Sequence, residues 1–206
     1  MAVKKQNFEG VKAVTPTFRA SYLNIFTPKA FEEGAPEKYS VQMIFDKKKT
    51  DLGPLKKKML EAAQGAWGKD KAKWPKNFNW PFRDGDDMPE DMAEGQKAIY
   101  AGTVYCNADS KNPPGVYDQK RNEIIDQREI FSGCYCRASL FMVPYQDVGG
   151  RGTSGRSGIK LYLQGIQLIE KGEPLGRANA RDDFEDVESE SGGDFGDDAD
   201  DDDGGF

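Results

Sequence analysis

Residues 182–206 hold thirteen Asp and Glu and no Lys or Arg, and this one stretch limits how much of the chain can fold. The whole chain has 206 residues, with 29 Lys+Arg against 35 Asp+Glu. Subtraction leaves 22 acids and 29 bases over residues 1–181, so a body of charge +7 is joined to a string of charge −13. Apart from Phe184, Val187, Phe195, Ala199 and Phe206, the string is Asp, Glu, Gly and Ser. It has too little apolar surface to offset the entropy of ordering, and its like charges repel. We expect a folded domain over residues 1–178 and a disordered acidic tail over 179–206.

The composition narrows the function classes. Hydrophobic residues make up 37% of the chain, and no apolar run approaches the roughly 18–20 residues that span a bilayer. The first residues, MAVKKQNFEG, lack the apolar stretch of a signal peptide. The expectation is a soluble, cytosolic protein with no membrane partner. There is no His, which removes the commonest general base and the commonest zinc ligand. The three cysteines are Cys106, Cys134 and Cys136. An odd count without a secretion signal argues against a disulfide framework, and a C-x-C pair plus one distant thiol falls short of a closed zinc site. We read them as small, half-buried strand residues, and expect no catalytic residue, no metal and no cofactor.

The body reads mainly as β-strands. Residues 15–26 (TPTFRASYLNIF) are rich in β-formers, and residues 39–46 (YSVQMIFD) alternate, with Tyr39, Val41, Met43 and Phe45 on one face. One helix follows: Thr50 or Asp51 can cap it, Pro54 fits its first turn, and Leu55, Met59, Ala62 or Ala63, and Ala66 form an apolar stripe. Residues 68–95 read as a long loop holding Trp74, Phe78, Trp80 and Phe82. Strands resume at 98–107, a hairpin turns near Lys120–Asn122, and further strands cover 132–143 and 159–169. About six strands with one early helix do not make a parallel α/β sheet. The pattern predicts an OB-fold-like antiparallel β-barrel with one inserted helix, an architecture that routinely binds oligonucleotides.

Strand parity then selects candidate contacts. Over 132–143 one face is Cys134, Cys136, Ala138, Leu140 and Met142, while the other carries Tyr135 and Arg137. Over 159–165 the core parity is Ile159, Leu161 and Leu163, opposite Lys160, Tyr162 and Gln164. Each outward face sets an aromatic ring beside a cation, which is what sequence-independent binding of single strands needs. Unpaired bases stack on rings while Lys and Arg follow the phosphates. Tyr105 is read as part of the same surface. Lys120 and Arg121 at the hairpin tip, and Arg151 and Arg156 in the loop DVGGRGTSGRSG, are flanking cations. Trp74 and Trp80 either clamp bases or pack on the barrel as a lid. The acidic string is a polyanion able to occupy the basic body as nucleic acid would, with Phe206 docking in an apolar, basic pocket on the body or on a partner.

Two motifs fail on context. Gly150, Gly152 and Gly155 fit G-x-G-x-x-G, and Arg156 stands where a phosphate-binding P-loop has Lys, but the sequence that follows is a strand rather than a helix. Asp84, Asp86, Asp87, Glu90 and Asp91 would suit a two-metal nuclease only if one loop could fold them round the ions, and their spacing misses the calcium-loop pattern.

The stretches FSGCYCRAS and GIKLYLQGIQLIEKGEPLG, with a tail ending DDADDDDGGF, resemble the replicative single-stranded DNA-binding proteins of bacteriophages. The resemblance covers roughly residues 8–185. It implies an OB-fold, sequence-independent binding of single-stranded DNA in phage replication and recombination, and a site of action in the cytoplasm of the infected bacterial host. It also implies a tail that competes with DNA and recruits a phage or host polymerase, helicase or nuclease, which places Asp200, Asp201, Asp202, Asp203 and Phe206 in partner binding. Two alternatives stand beside it: an acidic-tailed interaction protein that binds no DNA, and a metal-dependent nuclease using the Asp84–Asp91 loop. The sequence leaves monomer and dimer open.

Overall fold

The computed structural model describes residues 8–146 and 155–175; the tail, including Asp200–Asp203 and Phe206, lies outside the described residues, as do Arg151, Gly150 and Gly152. In chain order the elements are β1 (Val11–Val14), β2 (Phe18–Lys29), β3 (Lys38–Asp46), α1 (Gly53–Trp67), β4 (Phe78–Asn79), β5 (Arg83–Asp84), α2 (Glu94–Tyr100), β6 (Thr103–Ser110), β7 (Gly115–Tyr117), β8 (Tyr135–Gln146) and β9 (Ser157–Glu170).

The pairings close on themselves. β8 pairs with β2, β2 with β3, β3 with β6, β6 with β9, and β9 returns to β8. Counted along the chain, these five strands stand in the order 1-2-3-5-4. The ring is antiparallel except at β6–β9, where the single register pair Asp109↔Tyr162 is parallel. The short strands β4 and β7 also lie parallel to β9, so the all-antiparallel expectation is corrected there. A parallel closure is forced by topology, because an odd ring of five strands cannot alternate direction all the way round.

The alternation read from the sequence is the alternation that fills the ring. Cys134, Cys136, Ala138, Leu140 and Met142 are all fully buried, as are Val41, Met43 and Phe45, and Leu161 and Leu163 beside Ile159. β9 bulges twice against β8: Ile169 is skipped between Tyr135↔Glu170 and Cys136↔Leu168, and Gln164 between Ser139↔Gly165 and Leu140↔Leu163, where the inward parity passes to Ile166 and Leu168. α1 covers the ring with Leu55, Met59, Ala62 and Ala63. Its cap differs from expectation. Leu52 occupies the N-cap position without a side-chain bond, and Asp51 Oδ1 instead accepts from the Gly53 amide at 2.8 Å.

Two further corrections concern the region after α1. Residues 98–100, read as strand, are the end of a second helix, α2, and the strand begins only at Thr103. Gly102, at φ +68°, makes the turn between them, a left-handed conformation that favours glycine. The 68–95 loop also contains the short strands β4 and β5. The cysteines are fully buried rather than half-buried, and burial, aided by the neighbouring Cys134, pushes the Cys136 thiol up to about 12. In the folded protein all three thiols are therefore expected to resist a thiol reagent at mildly alkaline pH and to react together on denaturation. Rapid labelling of native protein would show that the inward parity of β6 and β8 is not the core.

Candidate nucleic-acid interface

The outer side of β3 and β6 carries a largely polar set with one tyrosine, in which Ser40 and Ile44 are covered and Asn107 is exposed. The register places Ser40 beside Asp109, Gln42 beside Asn107, Ile44 beside Tyr105 and Asp46 beside Thr103. Three tyrosines gather over it. Tyr105 projects from β6 and lies 5.2 Å, centroid to centroid, from the ring of Tyr100 at the end of α2. The Tyr100 hydroxyl donates to Gln42 Oε1, which pins α2 to the sheet, and burial raises its phenol above the ordinary 10.0.

Tyr22 comes from β2 by a different device. Ser21 pairs with Gln42 and Asn24 with Ser40, so β2 has one residue more than β3 across that interval. Tyr22 sits in this bulge at φ +44° and is 57% exposed. Positive φ is costly for a bulky residue, and such bulges re-aim side chains.

Cations border the tyrosines. Lys160 Nζ is 2.9 Å from Asp109 and 5.3 Å from the centre of the Tyr162 ring, and Lys38 Nζ is 3.7 Å from the same Asp109. One carboxylate thus holds two ammonium groups on the seam between β6 and β9. In the β2–β3 turn at one end of this face, Phe31 is 67% exposed. Arg156 is exposed just before β9.

The structure divides the residues singled out from the sequence. Tyr105, Lys160 and Tyr162 belong to this face. Arg137 and Tyr135 do not: Tyr162 is registered with Phe141, and Arg137 and Tyr135 lie four and six residues along β8, about 14 and 20 Å away. Arg137 instead meets Arg121 and Tyr117 in a 350 Å³ groove floored by Ala138, Gly165 and Ile166, with its Nε donating to Thr15 O at 3.2 Å. Lys120 is exposed on the adjoining turn, where the Asp118 carboxylate accepts from the amides of Lys120 and Asn122. Tyr135 lines a separate groove with Arg19 and Lys49. Trp74 is half-buried against the core, whereas Trp80 is exposed.

Tyr22, Tyr100 and Lys38 were not found from the sequence. The bulge hides Tyr22, because it breaks the alternation that parity depends on. Tyr100 was assigned to a strand that is helix.

The acidic loop has a different occupant from the one a nuclease would need. Lys47 Nζ sits between Asp84 and Asp86, bonded to both and 2.6 Å from Asp86 Oδ2, and the Gly102 amide donates to Asp86 Oδ1 at 2.6 Å. Among the described residues no group of three or more Cys, Asp and Glu is placed to hold a metal ion. No helix among them is long and apolar enough to cross a membrane.

A five-strand ring in the order 1-2-3-5-4, with aromatic and cationic side chains on the outer face of its second and third strands, places the chain in the OB-like class of β proteins. The family model of the Enterobacter phage Enc34 ssDNA-binding protein matches residues 11–196, and the chain belongs to that family. That family is one of DNA-binding proteins and not of enzymes. The fold is also similar to solved structures. The single-stranded DNA-binding protein of bacteriophage Enc34 in complex with ssDNA is 21% identical, with a TM-score of 0.56 over 85% of this chain and 100% of that one. The gp2.5 single-stranded DNA-binding protein of bacteriophage T7 is 16% identical, with a TM-score of 0.58 over 89% of this chain and 97% of that one. No curated protein matches the chain in sequence.

The Lys47 pairing gives a test of the loop. The Lys47 ammonium holds the Asp84 carboxyl below its ordinary 3.8, and the Gly102 amide followed by Lys47 does the same for Asp86. Both pKa values are depressed in the fold. The two carboxylates therefore stabilise it above the unfolded value and lose that contribution as pH falls through the folded one. Lys47→Ala is expected to raise both carboxyl titrations toward 3.8 in carbon-detected NMR. Unmoved titrations would mean that Lys47 does not sit between them.

Proposed function

We propose that this chain binds single-stranded DNA without sequence preference, through the outer face of β3 and β6 and the adjoining Lys160 and Tyr162 of β9. The observation that carries the reading is that Tyr22 of β2 and Tyr105 of β6 stand on the outer side of β3 and β6, with buried Tyr100 supporting Tyr105, and that Lys38 of β3 and Lys160 of β9 meet at Asp109 on the same side. That is the face on which OB-folds take oligonucleotides. Rings stack on unpaired bases at roughly 1–3 kcal/mol each, and the lysines follow the phosphates. A duplex hides the faces of its bases, so the surface favours single strands. Membership of a phage ssDNA-binding family supports a role in phage DNA replication and recombination, in the cytoplasm of the infected bacterium.

The test is fluorescence anisotropy of a labelled dT oligomer and a matched duplex across a salt series. Tight single-strand binding is expected, with log K falling by about 0.7 per phosphate neutralised for each decade of salt. Tyr105→Ala with Tyr162→Ala is expected to cost roughly 1–3 kcal/mol per stacked base, and Tyr135→Ala much less. A larger loss at Tyr135 would move the binding surface down the β8–β9 ladder, to the grooves holding Arg19, Arg121 and Arg137. No binding at all would favour the acidic-tailed interaction protein.

The acidic residues 182–206 are proposed to compete with DNA for the basic body, and to pass to a phage or host polymerase, helicase or nuclease once DNA is bound. Asp200–Asp203 and Phe206 are the proposed contacts. Their support is charge alone, −13 against +7. Removing residues 182–206 is expected to strengthen single-strand binding, most at low salt. Equal or weaker binding without them would end this part of the reading.

A further inference from the structure

All three tryptophans of the chain stand in one cluster. Trp67 ends α1, and its ring is 6.0 Å from Trp74 and 5.4 Å from Phe78. Trp74 is fixed by its Nε1, which donates to Gly68 O at 2.9 Å. Trp80 stands edge-on to Phe78, with centroids 4.8 Å apart, and is the exposed member at 42%. A large indole held in place by its neighbours yet open to solvent has not been needed for the core.

Trp80 lines a 430 Å³ cavity together with Phe82, Leu60, Lys56 and Lys71. Phe82 is held from behind by Phe45, with centroids 6.4 Å apart, and Lys56 Nζ lies 5.9 Å from its ring centre. No carboxylate lines the cavity. Among the described residues neither Lys56 nor Lys71 is in an ion pair, in contrast to Lys38, Lys47 and Lys160. The cavity therefore offers aromatic surface and two cations whose charge is not neutralised locally. The ligand that complements both is an aromatic ring carrying an anion.

The cavity adjoins the proposed DNA face through the backbone. Phe82 is followed directly by Arg83, and Arg83 of β5 is registered with Tyr105 of β6. Exposed Arg83 is thus beside Tyr105 in the sheet and next in the chain to Phe82 of the cavity. We infer that the Trp80 cavity is a second stacking site for the same DNA strand. It takes an unpaired base and its phosphate after the strand has passed Tyr105 and Arg83, with Trp80 as the stacking ring and Lys56 and Lys71 on the phosphate. This rests on the single-strand reading above and extends its path round the molecule.

The arrangement of the aromatic residues supplies the test. The proposed face contains no tryptophan, so tryptophan-selective fluorescence reads the Trp67–Trp74–Trp80 cluster at the cavity, while the anisotropy of a labelled oligomer reads total binding. The full chain would be titrated with dT oligomers of about 4 and about 16 nucleotides, the range of site sizes for one OB-fold. The expected result is that both bind by anisotropy and only the longer one changes the tryptophan emission. Lys56→Gln with Lys71→Gln is expected to abolish that change and, through loss of the one base stacked there, to weaken the longer oligomer roughly 5- to 150-fold, with a much smaller effect on the shorter one. Trp80→Ala, at an exposed position, should weaken the longer oligomer in the same selective way. Binding of the longer oligomer with unmoved tryptophan emission, or equal weakening of both lengths, would overturn the cavity and leave the tyrosine face standing. Failure of both lengths to bind would overturn the single-strand reading and this one with it.

Discussion

The closure of the ring at β6–β9 is the contact on which the rest depends. The strands β8, β2, β3 and β6 follow one another by antiparallel pairing, and such a run would leave the far edge of β6 covered only at Val104 and Tyr105, by the short strand β5. The parallel pair Asp109↔Tyr162 removes that edge, and the Lys160–Asp109 ion pair ties the same two strands across their outer side. Closure turns the inward parity of five strands into one enclosed core. It also lays the outer residues of β3, β6 and β9 side by side. Tyr105 and Tyr162 lie 57 positions apart in the sequence, yet four residues of β6 and one strand spacing separate them in the fold.

The aromatic face is then assembled by irregularities rather than by regular strand. A bulge turns Tyr22 outward, a two-turn helix delivers Tyr100 to the same place, and only Tyr105 arrives by simple alternation. Backbone strain at Tyr22 is a local cost, and β2 bears it between the pairs Ser21↔Gln42 and Asn24↔Ser40 with β3, while the Leu23 amide donates to Ser132 Oγ. Stacking rings need to stand clear of the pleat, and a strand with perfect period would have set this ring flat among its neighbours or turned it into the core.

What was legible in the sequence follows from this. Wherever a strand keeps strict alternation, as in Cys134 to Met142 or Ile159 to Leu163, its inner and outer faces could be read residue by residue. The α1 stripe was equally clear, because Leu55, Met59 and Ala62 or Ala63 recur at helical spacing. Parity, however, says which side of a strand a residue takes and not how far along the ring it stands. Tyr135 and Arg137 share their parity with Phe141 and yet lie beyond the reach of Tyr162. The helix α2 was hidden because its seven residues, EGQKAIY, are too few to show a period, and its aromatic end merges with the strand that follows.

Asp109 has a consequence for how the proposed face would meet a polyanion. Its single carboxylate already neutralises part of the charge on Lys38 and Lys160. A phosphate that takes over these lysines sets Asp109 free, and a bare carboxylate gathers small cations from solution just as the DNA gives them up. The exchange returns part of what the strand releases. Counting lysines on this face would then overstate how strongly salt governs its hold on DNA. The stacked rings, indifferent to ionic strength, would carry a larger share of the grip.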